Sequence, residues 1–401
     1  MKKVITTVGT SLFTNYQKDN NDIRHHYEQI KEEPFAAYEH AVERIKRVKP
    51  PVLNFACSQD ESCAEIKSIL KIKEELKDSV DVCLLASDSI TSALAAEIVK
   101  EALEKRKDRE LRINFNQQLD VIKGLQVDNR NKFSKSGMPN LVRRIYGLAD
   151  GGYFGHIILN ITGGYKAAIP FLTVLGQVNN VPLYYIFEET QSLIKIPQTP
   201  VNIDWKTIGQ HQDILERLER EGVIEENKKF PETIESLIER AGDYVTLNTL
   251  GIIFWERYKT KFNIFYLFPN EYMKYASLNE YDQRLINRSL KELKRRVETN
   301  PADPDLRHGL TGCSLPESFY CFKHKEQNEQ VRILWCVNQR SSSYETIIND
   351  LYIAMVLTGS EVHNSESEYV ATIDRFTKKH PVLNLANFRV ISIDKEAVGN
   401  V

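Results

Sequence analysis

Ile157–Gln177 reads IILNITGGYKAAIPFLTVLGQ. An aliphatic run, His156–Ile161, stops at Thr162-Gly163-Gly164, and a helical pattern, Lys166–Gln177, starts at once. A run without apolar–polar alternation is what a strand covered on both faces requires. Strand, glycine turn and helix in that order form the βα unit of a parallel sheet. The same grammar recurs on either side. Lys3–Val8 ends at Gly9-Thr10-Ser11, Val52–Ala56 at Cys57-Ser58-Gln59-Asp60, and Val80–Ala86 at Ser87-Asp88-Ser89, while Pro182–Phe187 is a fifth run. Helical patterns over Ala36–Arg47, Ala64–Leu76 and Ser89–Arg106 lie between them. Residues 1–205 are therefore expected to form one α/β domain around a parallel sheet.

In such a sheet, ligands bind beyond the carboxyl ends of the strands. Those ends here carry Gly9, Thr10 and Ser11, then Ser87-Asp88-Ser89, then Thr162, Gly163, Gly164, Tyr165 and Lys166. Glycine admits close backbone approach and positive φ, and hydroxyls with helix N-terminal N–H groups favour phosphate. Lys166 offers a fixed positive charge, and Tyr165 is either a stacking face or core. The plainer alternative is a set of capped strand-to-helix turns. Three such turns converging on one edge favour a ligand site.

Val4–Tyr16 (VITTVGTSLFTNY) and Ile157–Gln177 resemble the two signature segments of CARF domains, the Rossmann-like sensor domains of CRISPR systems. Gly124–Asp128 (GLQVD) and Phe133 are similar too. The resemblance covers about residues 1–200. It implies a homodimer with one two-fold site for a cyclic oligoadenylate, expected to be cyclic tetra-adenylate. It places Gly9, Thr10 and Ser11 on the first ligand loop and Thr162, Gly163, Gly164 and Lys166 on the second.

Residues 206–261 change character. Asp213–Gly222 (DILERLEREG) and Pro231–Ala241 read as amphipathic helices, and Thr246–Lys261 is more apolar. This helical connector is open to two readings, a winged helix-turn-helix or dimerising packing.

Residues 262–401 read as a small α+β domain. A strand at Asn263–Leu267 precedes helices over Asn270–Ala276 and Asn279–Thr299. Strands follow at Phe319–Lys325, Val331–Val337 and Leu351–Leu357, then a helix at Ser367–Lys379 and a last strand within Leu385–Ile393. No His or carboxylate cluster stands at metal-ligand spacing. Positive and polar tips gather instead: Arg307, His308, Lys323, His324, Lys325, Arg332, Arg340, His363 and Tyr369. Such a set suits RNA cleavage without a metal or other cofactor. Cations stabilise the developing phosphate charge, a base activates the 2′-OH, and an acid protonates the leaving 5′-oxygen. A solvated basic face is the bland alternative.

Residues 263–380 resemble a RelE-type toxin, a ribosome-dependent mRNA endonuclease. The resemblance rests on the opening strand and helical hairpin, the PADPDLRHGLTGC turn, Phe319–Val337 (FYCFKHKEQNEQVRILWCV) and Gly359–Tyr369 (GSEVHNSESEY). It implies that Lys323 and Lys325 are base or phosphate ligands and that Arg332 stabilises the transition state. His363 is then the acid, and Tyr369 stacks on or orients a base of the mRNA. Two departures stand out: an insertion over Gln339–Asp350, and histidine where the family often has arginine.

The 401 residues suggest two or three domains, and the net charge of −2 gives no general attraction to nucleic acid. Six cysteines without a Cys-x-x-Cys pair fit a reduced, cytoplasmic protein. The N-terminal apolar run is too short for a signal peptide, and no stretch is long enough to span a membrane. Two rivals remain open. Arg375-Phe-Thr-Lys-Lys-His380 matches the spacing of the all-helical HEPN ribonucleases. A ligand-gated DNA-binding regulator would use residues 206–260 as its reader.

Overall fold

The computed structural model describes residues 1–126, 130–149, 152–186, 192–200, 202–225, 230–317, 319–326, 328–341, 347–363 and 366–395. The chain divides into two compact units. The first holds Met1–Thr207 with Arg217–Arg257, and the second holds Ile208–Glu216 with Tyr258–Val401.

The first unit is built on strands β1 (Lys2–Val8), β2 (Val80–Ser87), β3 (Leu111–Asn114), β4 (Val121–Ile122), β5 (Ile157–Asn160), β6 (Leu183–Ile186) and β7 (Leu193–Ile196). Their order is β3-β2-β1-β5-β6-β7, with β4 beside β2. All pairs are parallel except β6–β7. The runs in β1, β2 and β5 are buried almost throughout, as a doubly covered sheet demands. Helices Ala64–Leu76 and Ile90–Glu104 each begin with a side-chain cap, Cys63 and Ser89 respectively.

Three local expectations change. Val52–Ala56 is not a strand but part of the Val42–Ser58 helix, which contains Pro50 and Pro51. Its buried residues Ile45, Val48, Val52 and Ala56 fall at helical spacing, so the apolar run is one stripe of a helix. Only the end of Ala36–Arg47 is α-helical, because Phe35–Ala41 is a 3₁₀ turn. Pro231–Ala241 is not one helix. A 3₁₀ turn, Glu232–Leu237, leads into β9 (Ile238–Ala241), which with β8 (Ile224–Glu225) and β10 (Tyr244–Leu247) makes an antiparallel sheet ordered β8-β10-β9. The stretch read as a helical connector thus carries a small sheet as well as the helices Gln212–Glu221 and Thr249–Lys261.

The second unit carries β11 (Phe262–Leu267), β12 (Tyr320–Glu326), β13 (Glu329–Ser341), β14 (Ile347–Thr358) and β15 (Arg389–Asp394). Their order is β12-β13-β14-β11-β15, antiparallel except for β11–β14. The expected succession of strand, two helices, three strands, helix and strand is present. Alternation along the strands sorts the core into two layers. Phe322, Ile333 and Ile353 pack with Leu285, Leu290 and Leu293 of the Glu280–Thr299 helix. Cys321, Leu334 and Ala354 pack with Tyr369, Val370 and Ile373 of the Glu366–Lys379 helix. Residues 319–357 are extended, so an all-helical HEPN fold is not what this unit adopts. Arg375 of that motif is exposed, and the His380 ring packs on Phe268 and Phe376.

Candidate functional sites

In the first unit, β1 lies between β2 and β5, so the loops after these strands are neighbours. The loops after β1 and β5 touch: a Cβ on Gly9 would stand 3.0 Å from the Gly164 nitrogen. Gly164 has φ +84°, and a Cβ there would press on the Thr7 side chain at 2.9 Å. Thr7 Oγ1 donates to the Gly163 carbonyl at 2.6 Å. The buried Asn160 anchors the second loop, accepting from Thr162 Oγ1 at 2.7 Å and donating to Ser68 Oγ at 2.7 Å. Thr162 Oγ1 also accepts from the Ile186 N–H at 3.1 Å. Its hydroxyl is committed to the fold.

A residue not singled out from sequence ties the two loops together. Glu65, 1% exposed, accepts the Gly9 N–H at 2.7 Å and stands 3.4 Å from Ser11 Oγ. It sits in the first turn of the Ala64–Leu76 helix, where the helix dipole favours a carboxylate. Gly163 lies so close that a Cβ would fall 2.2 Å from Glu65 Oε1. Glycine at 163 therefore answers to this internal carboxylate, and glycine at 9 to the backbone of Gly164.

Two cavities flank the ridge of Gly9, Thr10 and Gly164. One, of about 560 Å³, is lined by Ser11, Lys18, Glu65, Lys67, Thr162, Gly163 and Lys166 among others. The other, of about 400 Å³, is lined by Tyr27, Lys31, Asp88, Ser89, Lys132 and Tyr165 among others. All seven ligand-loop residues expected from sequence line the first cavity. Lys67 is paired with Glu61 at 3.1 Å and Lys132 with Asp88 at 3.7 Å. Asp88 Oδ2 also accepts the Gly124 N–H at 2.8 Å, while burial pushes the Tyr27 hydroxyl up to about 12. Gly124 has φ +83° and meets Gly137 backbone to backbone. Val127 and Asp128 lie outside the described residues.

In the second unit, Lys323 of β12 stands directly opposite Arg332 of β13, and Lys325 opposite Gln330. Antiparallel partners share a face, so these four side chains form one patch. Both lysines are exposed, whereas Arg332 is only 6% exposed. Its guanidinium donates to the Val331 carbonyl at 3.0 Å and to Gln330 Oε1 at 3.2 Å, and lies 5.4 Å from the Tyr369 ring centre. Its Nε is buried without a hydrogen-bond partner.

A hollow of about 400 Å³ is lined by Arg296, Asp305, Lys323, His324, Lys325, Gln330 and Arg332. Arg296 is neutralised by Glu292 at 2.7 Å and by Asp303 and Asp305 at 3.1 Å. These arginines hold Glu292 well down, to about 2, through hydrogen bonds from Arg295 and Arg296. Lys323, Lys325 and Arg332 are thus together, with Tyr369 behind Arg332. Tyr369 is 3% exposed, with its ring against the Arg332 guanidinium. The side chain of His363 lies outside those described.

Among the described residues, no three His, Cys, Asp or Glu side chains group closely enough to hold a metal ion, and no helix is long and apolar enough to cross a membrane. No curated protein matches the chain. Residues 60–199 match a family model described as CRISPR-associated protein (Cas_APE2256). That stretch includes Glu65 and the whole second loop, Thr162–Lys166. Over these residues the first unit is similar to a CRISPR-associated family.

Proposed function

We propose that the chain is a type III CRISPR ancillary effector, a homodimer whose first unit binds cyclic tetra-adenylate and whose second unit then cleaves mRNA in the ribosomal A site. Cleavage proceeds by attack of the 2′-OH without a metal, and it arrests translation. The match over residues 60–199 supports the CRISPR setting.

The observation that carries the cleavage reading is Arg332. An arginine 6% exposed, with Nε unpartnered and two lysines beside it, is an unfinished hydrogen-bonding site. Leaving such a group unpaired costs about 1–3 kcal/mol. An RNA phosphate completes it, and the cations then oppose the charge that grows on phosphorus-bound oxygen. On the sensor side, Thr10, Ser11 and Lys166 line one cavity, and a two-fold ring would meet the same loops in each protomer.

The test is mRNA cleavage in a purified translation system, with and without ribosomes and with tetra- or hexameric cyclic oligoadenylate. Wild type runs beside Lys323→Ala/Arg332→Ala and Arg375→Ala/His380→Ala. Cleavage that needs ligand and ribosome and is lost only in the first variant is expected. Cleavage of free RNA lost only in the second hands the function to Arg375 and His380. No cleavage under any condition refutes the nuclease reading and favours the DNA-binding regulator.

A further inference from the structure

Lys323, Lys325 and Arg332 can hold a phosphate, but a cation that stabilises charge cannot also take the 2′-hydroxyl proton. The strand carrying both lysines places a better base between them. His324 points to the opposite face of β12 by alternation, yet it lines the same hollow as Lys323, Lys325 and Arg332. Its side chain is 10% exposed. Its Nε2 stands 3.3 Å from Glu326 Oε2. Glu326 Oε1 is in turn 3.5 Å from Arg288. The imidazole stacks on Phe322 at 5.5 Å with 9° between the ring planes.

These neighbours do two things. The stack and the carboxylate fix the ring's plane and rotation, which a general base needs before proton transfer. A carboxylate on Nε2 keeps the proton there and leaves the lone pair on Nδ1. It also stabilises the imidazolium once formed, while Arg288 keeps Glu326 in place.

Resting on the cleavage reading above, we propose that His324, oriented by Glu326, is the general base of the site. In the step, Nδ1 takes the proton of the 2′-OH as the 2′-oxygen bonds to phosphorus. The bond from phosphorus to the 5′-oxygen breaks, and that oxygen takes a proton from the Lys323 ammonium, which here replaces His363, the acid the resemblance implies. The products are a 2′,3′-cyclic phosphate and a 5′-hydroxyl. Solvent then moves the proton from His324 back to Lys323. Glu326 is a positioning residue.

The experiment is single-turnover cleavage of ribosome-bound mRNA by the full chain with cyclic tetra-adenylate. His324→Gln is expected to lose about 100-fold or more in rate, with melting temperature and affinity for an mRNA carrying 2′-deoxyribose at the scissile position unchanged. Added imidazole restores part of the rate to His324→Ala. With a 5′-phosphorothiolate mRNA, whose leaving sulfur needs no acid, the His324→Gln defect persists. A defect that vanishes on that substrate makes His324 an acid and overturns the assignment. So does a His324→Gln variant that cleaves like wild type, or one whose loss lies in mRNA affinity. In all three cases an inactive Arg332→Ala leaves the cleavage reading intact, whereas a wild type inactive under every condition removes both.

Discussion

Alanine at position 163 would add one methyl group where the two loops meet Glu65. The new Cβ would lie 2.2 Å from Glu65 Oε1, 2.6 Å from its Cδ and 2.7 Å from the Thr7 carbonyl oxygen. Thr7 belongs to β1 and pairs with Leu85 of β2, which restrains its carbonyl. Glu65 must yield by roughly an ångström to reach ordinary contact, which breaks its 2.7 Å bond from the Gly9 N–H. Overpacking costs about 1–3 kcal/mol, and a hydrogen bond to a charged group is worth about 1.5–3 kcal/mol. Together Gly163→Ala should cost about 3–5 kcal/mol, a fall in melting temperature of about 6–20 °C for a unit of this size. The assay is reversible denaturation of wild type, Gly163→Ala, Glu65→Ala and the double variant. Once the carboxylate is gone, the two shortest of these contacts go with it, so the cost of the alanine should shrink by about 1–3 kcal/mol. A Gly163→Ala protein as stable as wild type, or single costs that simply add, would refute the claim that Gly163 is glycine because of Glu65.

Glu271 is 7% exposed and one of its carboxyl oxygens lacks a partner; burial pushes it up to about 7 from an ordinary 4.5. Its unfolded form ionises first, so its contribution is complete below about pH 4.5 and falls by about 3 kcal/mol as pH rises to 7; Glu271→Gln should flatten that part of the stability–pH curve and be the more stable protein at pH 8. Asp120, 4% exposed, accepts from Arg144 at 2.6 and 2.9 Å and from the Asn116 N–H at 2.7 Å. Asp120→Ala strands a partly buried guanidinium and should cost about 3–5 kcal/mol by denaturant titration. Tyr369→Phe keeps the ring under Arg332 and should cleave mRNA within about twofold of wild type, whereas Tyr369→Ala removes a contact worth about 1–2 kcal/mol and should lose about tenfold.

Where apolar runs are bounded by glycine and polar turns, the run itself is enough to place the strand. β1, β2, β5 and β6 stand where their runs predicted, and so do the strands of the second unit, except that β13 runs on to Ser341 and β14 starts at Ile347, so both ends of the stretch read as an insertion, Gln339–Asp350, are paired strand. Val52–Ala56 misled because a five-residue apolar run carries no period of its own, and Pro50 and Pro51 look like a boundary. The structure keeps them inside a helix whose stripe starts at Ile45. Ile238–Ala241 misled for the opposite reason. Its helical neighbours extended a period that the pairing with β10 overrides. β3, β4, β7, β8 and β10 are too short for the sequence to show them.

Which candidate residues come together is legible where chemistry and backbone signal coincide, as where Gly164 meets Gly9 or Lys323 stands opposite Arg332. Glu65 was hidden because one acid in the first turn of a helix is the commonest of capping signals. Only the fold shows that its carboxylate faces two loops distant in the chain.

The cation patch shows why alternation alone does not say which side chains share a hollow. Period two separates Lys323 and Lys325 from His324, and a sequence reading stops at that separation. A central strand would enforce it, since both faces of such a strand are covered by different layers. β12 is the outermost strand of its sheet, and next to an edge the two faces are a single backbone apart. One hollow can then receive side chains of both parities, as it does here. The outer edge of β12 is closed at Cys321, whose carbonyl accepts the His308 N–H at 2.9 Å, and the rest of such an edge is one that a protein normally blunts with charge, lysine above all. Lys323 and Lys325 meet that need whatever else they do. Arg332 does not, because it lies on an inner strand, is buried, and keeps an unpartnered Nε. Edge protection therefore accounts for the two lysines and leaves the arginine unexplained. That makes Arg332, rather than the lysine pair, the residue whose substitution discriminates a phosphate site from a solvated edge.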